Sequence, residues 1–321
     1  MNTIKAFLLS LAVAGIAACS GDDDDPVTGG LQQPLPLTIT VDENPLLNPD
    51  ATSQAPATRT AITTTTSLTA FTLDYQYIRG DELQYGNNRV KKDVNGNWSA
   101  GYWPTSAADN TPVSWYAHTD GTIVNQTDPY LNFAVEELAT SQKDLLVAST
   151  SGTKAETGGR LTLTFDHACT ALRFYVKKAK NLDDHTLTVT SIKLCNVVKD
   201  GRYYFRTSSW TPGSTRTTFT LYEGTGMTLG STDYTLLNAS DDDYLFIIPQ
   251  TLTAWDTTTA IASASAQTYI QLQCSIDGGS TYSGLAYIPF AATLEAGIQH
   301  DVTINIGKNT LYSGPNTKII N

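Results

Sequence analysis

Apolar and polar residues alternate one by one along most of this chain. Only an extended strand turns that period into one buried face and one wet face. "LTITV" sets Leu37, Ile39 and Val41 on a common side, and "AFTLDYQYI" does the same with Phe71, Leu73, Tyr75 and Tyr77. "PVSWYAH" aligns Val113 with Trp115, "RLTLTFDH" aligns Leu161, Leu163 and Phe165, and "ALRFYV" aligns Leu172, Phe174 and Val176. "HDVTINI" closes the series with Val302, Ile304 and Ile306. One short helical segment is expected, around Phe133 to Ser141. The chain is therefore expected to be all-β. Its strands recur between turn signals such as Asn95-Gly96-Asn97 often enough for β-sandwiches.

Two sandwiches in tandem suit a chain of 321 residues better than one. The polar, glycine-bearing stretch from Ser149 to Arg160 is the best place to divide them. The expected organisation is an N-terminal sandwich over 35–150, with its first strand at about 37–41. A linker over 151–160 and a C-terminal sandwich over 161–321 follow.

The first residues are of another kind. Lys5 precedes an apolar run from Ala6 to Ala14, too short for a bilayer core of about 30 Å. With small residues behind it, the run reads as a secretory signal peptide over 1–18. Ile16-Ala17-Ala18-Cys19 resembles a bacterial lipobox, which implies cleavage before Cys19, its diacylation and a lipid-tethered mature chain. Ser20, Gly21, Asp22, Asp23, Asp24 and Asp25 then open an acidic and polar tether over 19–34. That cluster reads as a solvated linker. It also resembles the Ser-plus-acidic export signal of surface-displayed lipoproteins in Gram-negative anaerobes. Outward display is favoured over the periplasmic side of the outer membrane.

Composition excludes several classes of function. The net charge of −11 argues against nucleic-acid partners, which require clustered Lys and Arg. Only 16% of residues are charged, which suits an extracellular β-protein. With Cys19 lipidated, Cys169, Cys195 and Cys274 remain, an odd set at wide spacing. Buried thiols are expected, with a Cys195–Cys274 bridge as the alternative. His118, His167, His185 and His300 are scattered on or beside strands, with no partner at metal-ligand spacing. Asp183-Asp184 and Asp241-Asp242-Asp243 read as solvated loops, with weak calcium binding as the minor alternative because the spacing of a calcium loop is missing. No nucleophile elbow, phosphate loop or metalloprotease helix occurs, so neither catalysis, nor a metal, nor a cofactor is expected. Trp98, Tyr102, Trp103, Trp115 and Tyr116 fall close together. They admit two readings, a sandwich core or a stacking platform for sugars on a lipid-anchored glycan-binding protein. The core is favoured, with Trp98 expected to be exposed.

Several segments, in order, resemble the fimbrillin-like (Mfa-like) family of surface lipoproteins, subunits of the type V pili of anaerobic Gram-negative bacteria. They are "GYWPTSAADNTPVSWYAHT" (101–119), "KDLLVAS" (143–149), "LTLTFDHACTALRFYVKKA" (161–179), "YLFIIPQTL" (244–252) and "YIPFAATLEAGIQHDVTINIGK" (287–308). The resemblance implies two transthyretin-like β-sandwich domains and a place in surface fimbriae. It implies partnership with other fimbrial subunits by strand exchange, a form of β-augmentation. A host or bacterial surface glycan or protein is the expected receptor. Arg59 is the one basic residue between Lys5 and Arg79. The resemblance makes the Arg59-Thr60 bond a site for an arginine-specific protease. The strand bearing Leu37, Ile39 and Val41 would then be displaced. The tail "KNTLYSGPNTKIIN" is broken by Gly314-Pro315 and makes a poor donor. An accessory or tip-associated role is therefore favoured over a shaft role, and deletion of Leu311 to Asn321 is expected to leave the fold nearly unchanged.

Overall fold

The computed structural model describes residues 34–44, 68–237 and 244–320. Each alternating segment quoted above forms a strand. In chain order they begin with β1 (Thr38–Glu43), β2 (Ala70–Arg79), β3 (Glu82–Lys92), β4 (Trp98–Ser99), β5 (Val113–His118) and β6 (Thr122–Val124). Then come β7 (Tyr130–Ala134), β8 (Leu146–Gly152), β9 (Arg160–His167), β10 (Thr170–Lys178), β11 (Leu187–Val198) and β12 (Asp200–Tyr204). They continue with β13 (Ser209–Pro212), β14 (Arg216–Thr228), β15 (Thr235–Leu236), β16 (Leu245–Ile247), β17 (Gln250–Leu252) and β18 (Tyr269–Ile276). The last are β19 (Tyr282–Pro289), β20 (Ala292–Leu294), β21 (Gln299–Ile306), β22 (Tyr312–Gly314) and β23 (Thr317–Lys318). The fold is all-β. Among the described residues, helix is confined to one short α-helix, α1 (Lys154–Thr157), and brief 3-10 turns.

A seven-stranded sheet runs β1-β9-β8-β5-β2-β3-β4. Its inward side chains, among them Phe71, Leu73, Trp115, Leu163 and Phe165, make a first core with Trp103 from the β4–β5 connection. A larger core gathers Leu172, Phe174 and Val176 of β10 with Leu194 of β11 and Leu272 of β18. It is wrapped by the six-stranded sheet β14-β11-β18-β19-β22-β23 and by β10. β10 pairs antiparallel with β15 and β16, and parallel with β21. Arg173 and Asp301 face each other across that parallel pair and close a two-point ion pair, Nε to Oδ1 at 2.8 Å and Nη2 to Oδ2 at 2.9 Å.

The cores do not divide the chain at 151–160. β8 extends to Gly152, and β9 lies beside it in the same sheet, so this stretch is a tight connector and not a linker. Thr153 caps α1 through a reciprocal box with Glu156, and Gly158 and Gly159 follow with φ of 58° and 79°. Capping residues and left-handed glycines are the residues that also make linkers polar, which is why the stretch resembled one. In the other direction, β7 lies in sequence between strands of the first sheet yet pairs with β12 in the sheet β13-β12-β7-β6. It sends Leu131 and Phe133 into the second core. Residues 35–321 accordingly form one compact unit.

The expected helix around Phe133 to Ser141 is also absent: β7 runs through Ala134, and only Ala139–Ser141 turn, as a single 3-10 element. Phe133 alternates with Leu131 in a strand, where cross-strand partners override a weak helical pattern. All three described cysteines are free and buried. Cys195 lies opposite Tyr269 and Cys274 opposite Val189, far apart along the β11–β18 ladder, so they cannot bridge. Burial pushes the Cys274 thiol up to about 11 and also raises that of Cys195, which keeps both protonated.

Candidate strand-exchange site

β1 is the terminal strand of the seven-stranded sheet and is parallel to β9, from Thr38 opposite Arg160 to Glu43 opposite Phe165. Its alternation places Leu37 and Ile39 in the first core at 6% and 7% exposure, with Val41 half-buried and the threonines outward. Both sides of its start are stitched down. The Leu37 N–H donates to the Gly101 carbonyl at 3.0 Å, and the Trp103 N–H donates to the Leu35 carbonyl at 2.9 Å. On the other side the Thr38 N–H donates to the Gly159 carbonyl at 2.9 Å. Gly159 is required there: a Cβ would stand 2.8 Å from the Pro36 carbonyl oxygen, and φ is +79°. At the far end, Asn44 donates its backbone N–H to the Phe165 carbonyl and its amide to Asp166 Oδ1 at 2.6 Å.

Of the residues expected to matter, Leu37, Ile39 and Val41 thus share one strand over one core. Cys19, Ser20, Asp22, Asp23, Asp24, Asp25, Arg59 and Thr60 lie outside the described residues, as do Asp241 to Asp243.

The aromatic group 98–116 belongs to the fold. Trp103 and Trp115 are buried and meet edge to face at 5.3 Å between centroids. Trp98 is not exposed as expected: it is half-buried against Phe71 at 5.2 Å, with Lys92 Nζ over its ring. Tyr102 is 58% exposed. No flat platform of rings results.

Three histidines each hold an aspartate. His118 Nε2 and Asp74 Oδ2 are 3.0 Å apart, both buried, and His167 pairs with Asp144. His185 Nδ1 lies 2.7 Å from Asp277 Oδ2. Among the described residues no group of His, Cys, Asp and Glu could hold a metal ion. Hydrogen bonds from Thr281, then His185 and the Thr186 N–H, hold the Asp277 carboxyl down to about 2. A depressed carboxylate stabilises the fold above its unfolded value of about 3.9, and that contribution is lost as pH falls through about 2. Asp277→Asn should therefore flatten the acid limb of a plot of Tm against pH, between about pH 4 and about pH 2.

Gln250 was not singled out from the sequence, yet it completes a ladder where backbone cannot. Its Oε1 accepts from the Val198 N–H at 3.1 Å, and its Nε2 donates to the Val198 carbonyl at 2.8 Å. The available signal was a glutamine directly after Ile248-Pro249 in an apolar run.

A fimbrial protein from Bacteroides vulgatus has a similar structure, with a TM-score of 0.50 and 17% identity over 85% of this chain and 96% of that one. A candidate cell adhesion protein from Bacteroides uniformis follows, with a TM-score of 0.46 and 16% identity over 89% and 96%. A fimbrial assembly protein from Parabacteroides distasonis gives 0.40 and 10% identity over 76% and 85%. At these identities only the fold is compared, and the first carries that comparison. No curated protein matches the chain. The family model described as fimbrillin-like matches residues 56–320, from before β2 to the last described residue. The chain belongs to the fimbrillin-like family.

Proposed function

We propose that this chain is an adhesive subunit of surface fimbriae, assembled when an incoming strand from a neighbouring subunit replaces β1. The observation that carries the reading is β1 itself: a short terminal strand, parallel to β9, whose removal breaks that ladder and the short bridge from residues 35–37 to residues 101–103, and uncovers one side of the first core. Parallel pairs are slightly weaker per residue than antiparallel ones, so an antiparallel donor would gain on the resident strand. Arg59 lies between β1 and β2, where a cut severs β1 from the domain it completes. Family membership implies a cell-surface location. Cys19 would supply the outer-membrane lipid anchor, Ser20 with Asp22 to Asp25 the export signal, and each core the transthyretin-like sandwich that the family resemblance implies.

An accessory or tip-associated place is favoured because the C-terminal tail is already used. Tyr312 of β22 pairs with Tyr287 of β19, and Leu311 and Ile320 are buried in the second core. Such a tail is not free to complete another subunit.

The test is Arg59→Ala in cells that make fimbriae. The variant should accumulate as a lipidated precursor absent from purified filaments, with the wild type found in them beginning at Thr60. Wild-type filaments in which residues before Arg59 remain attached would end the cleavage scheme. A monomeric protein absent from every filament would end the fimbrial assignment.

A further inference from the structure

The sheet β13-β12-β7-β6 turns one face inward, and among the described residues its other face is uncovered. Leu131, Phe133 and Tyr203 enter the second core, so period two forces their neighbours outward. Across the four strands the outward residues fall into two rows. Thr122 lies opposite Asn132, Asn132 opposite Arg202, and Arg202 opposite Thr211; all four are exposed. Beside this polar row, Tyr130 lies opposite Tyr204, with their rings 5.5 Å apart. The Arg202 guanidinium is seated over the Tyr130 ring, 4.8 Å from its centroid.

In a chain of net charge −11, Arg202 has no carboxylate partner among the described residues. An aromatic seat restricts its motion without consuming its fork of N–H donors, which matches a carboxylate two-pronged. Strands spaced about 4.8 Å apart make the four-residue polar row about 14 Å long, the scale of a short oligosaccharide. Hydroxyl and amide side chains along one row suit sugar hydroxyls, and the ring row suits the apolar C–H faces of sugar rings. One cation on a polar, aromatic strip does not make the basic track that nucleic acid needs.

We infer that this face binds a carboxylated saccharide, with Arg202, seated on Tyr130, on the carboxylate and Tyr204 beneath a sugar ring. The site is separate from β1 and stands or falls without strand exchange.

Titration calorimetry of the purified chain with tri-galacturonic acid tests it, with its methyl ester and a hexa-glutamate peptide as parallel probes. Tri-galacturonic acid should bind, and the ester at least tenfold more weakly. Arg202→Ala should cost at least tenfold, Arg202→Lys less, and Tyr204→Ala severalfold, with unchanged circular dichroism because Arg202 is exposed and Tyr204 lies on the outer face. Three results would each overturn the inference: no binding, equal binding of acid and ester, or full affinity in Arg202→Ala. Equal binding of the hexa-glutamate, lost in Arg202→Ala, would assign the face to acidic peptides and overturn the saccharide.

Discussion

Removing residues 311–321 is expected to destabilise the protein severely, and Leu311→Ala alone by about 2–5 kcal/mol. The sequence reading had the opposite expectation, because Gly314-Pro315 splits the apolar residues of the tail. The structure corrects it. Leu311 is fully buried and Ile320 is 8% exposed, both in the second core. Tyr312 meets Trp255 edge to face at 5.8 Å, the Asn316 N–H donates to the Thr257 carbonyl at 2.7 Å, and the Ile319 N–H returns to the Leu311 carbonyl at 3.1 Å. Gly314 ends β22, and Pro315 and Asn316 make the turn that brings Ile320 back to the core, so the tail does not stop at the break. The cavity left by Leu311→Ala has walls on β-strands that cannot collapse freely, so the cost should fall in the usual range for buried leucine. Urea unfolding followed by circular dichroism should show a lowered midpoint at unchanged slope. A midpoint within about 0.5 kcal/mol of the parent would mean that the tail is a surface appendage.

How far the sequence could be read follows from which interactions are local. Alternation in 161–165, 172–176 and 270–276 reports burial directly, and those residues are buried as the period demands. Leu37 and Ile39 were legible for the same reason. Partner choice was not, because a period of two says that a strand has a dry face but not what covers it. Hence β9 was assigned to the wrong core, and the pairing of β7 with β12 left no trace in either segment. Trp98 was read from its Gly-Asn neighbours as exposed, but ring contact with Phe71 depends on a strand pairing far along the chain. The platform at Arg202 escaped for a related reason. Its two rows are built from four strands, and no single strand contributes more than two of the side chains.

Once the chain is cut at Arg59, β1 should stay bound in the wild type and leave in a Leu37→Asp, Ile39→Asp double variant. Two aliphatic side chains buried to this degree contribute roughly 3–6 kcal/mol together. At about 1.4 kcal/mol per factor of ten, their loss shifts the release equilibrium by about a hundredfold to ten-thousandfold. The backbone bonds from Leu35, Leu37 and Thr38 to Trp103, Gly101 and Gly159 would remain available, but a carboxylate placed in the first core, at position 39 opposite Leu161, cannot be solvated there. Before the cut, covalent continuity keeps the local concentration of β1 high, so the variant should still fold, at a lower Tm. Val41→Asp, at a half-buried position, should release far less. Cleaving each purified protein with an arginine-specific protease and passing it through gel filtration separates the cases, because a released N-terminal fragment elutes late. Strand exchange requires a second result: the released form must take up a synthetic alternating apolar peptide that the uncut wild type refuses. Retention of the fragment in the double variant would place the hold on β1 in its backbone bonds. Release without peptide uptake would show a core that collapses when its terminal strand leaves, and such a core could not accept a neighbour.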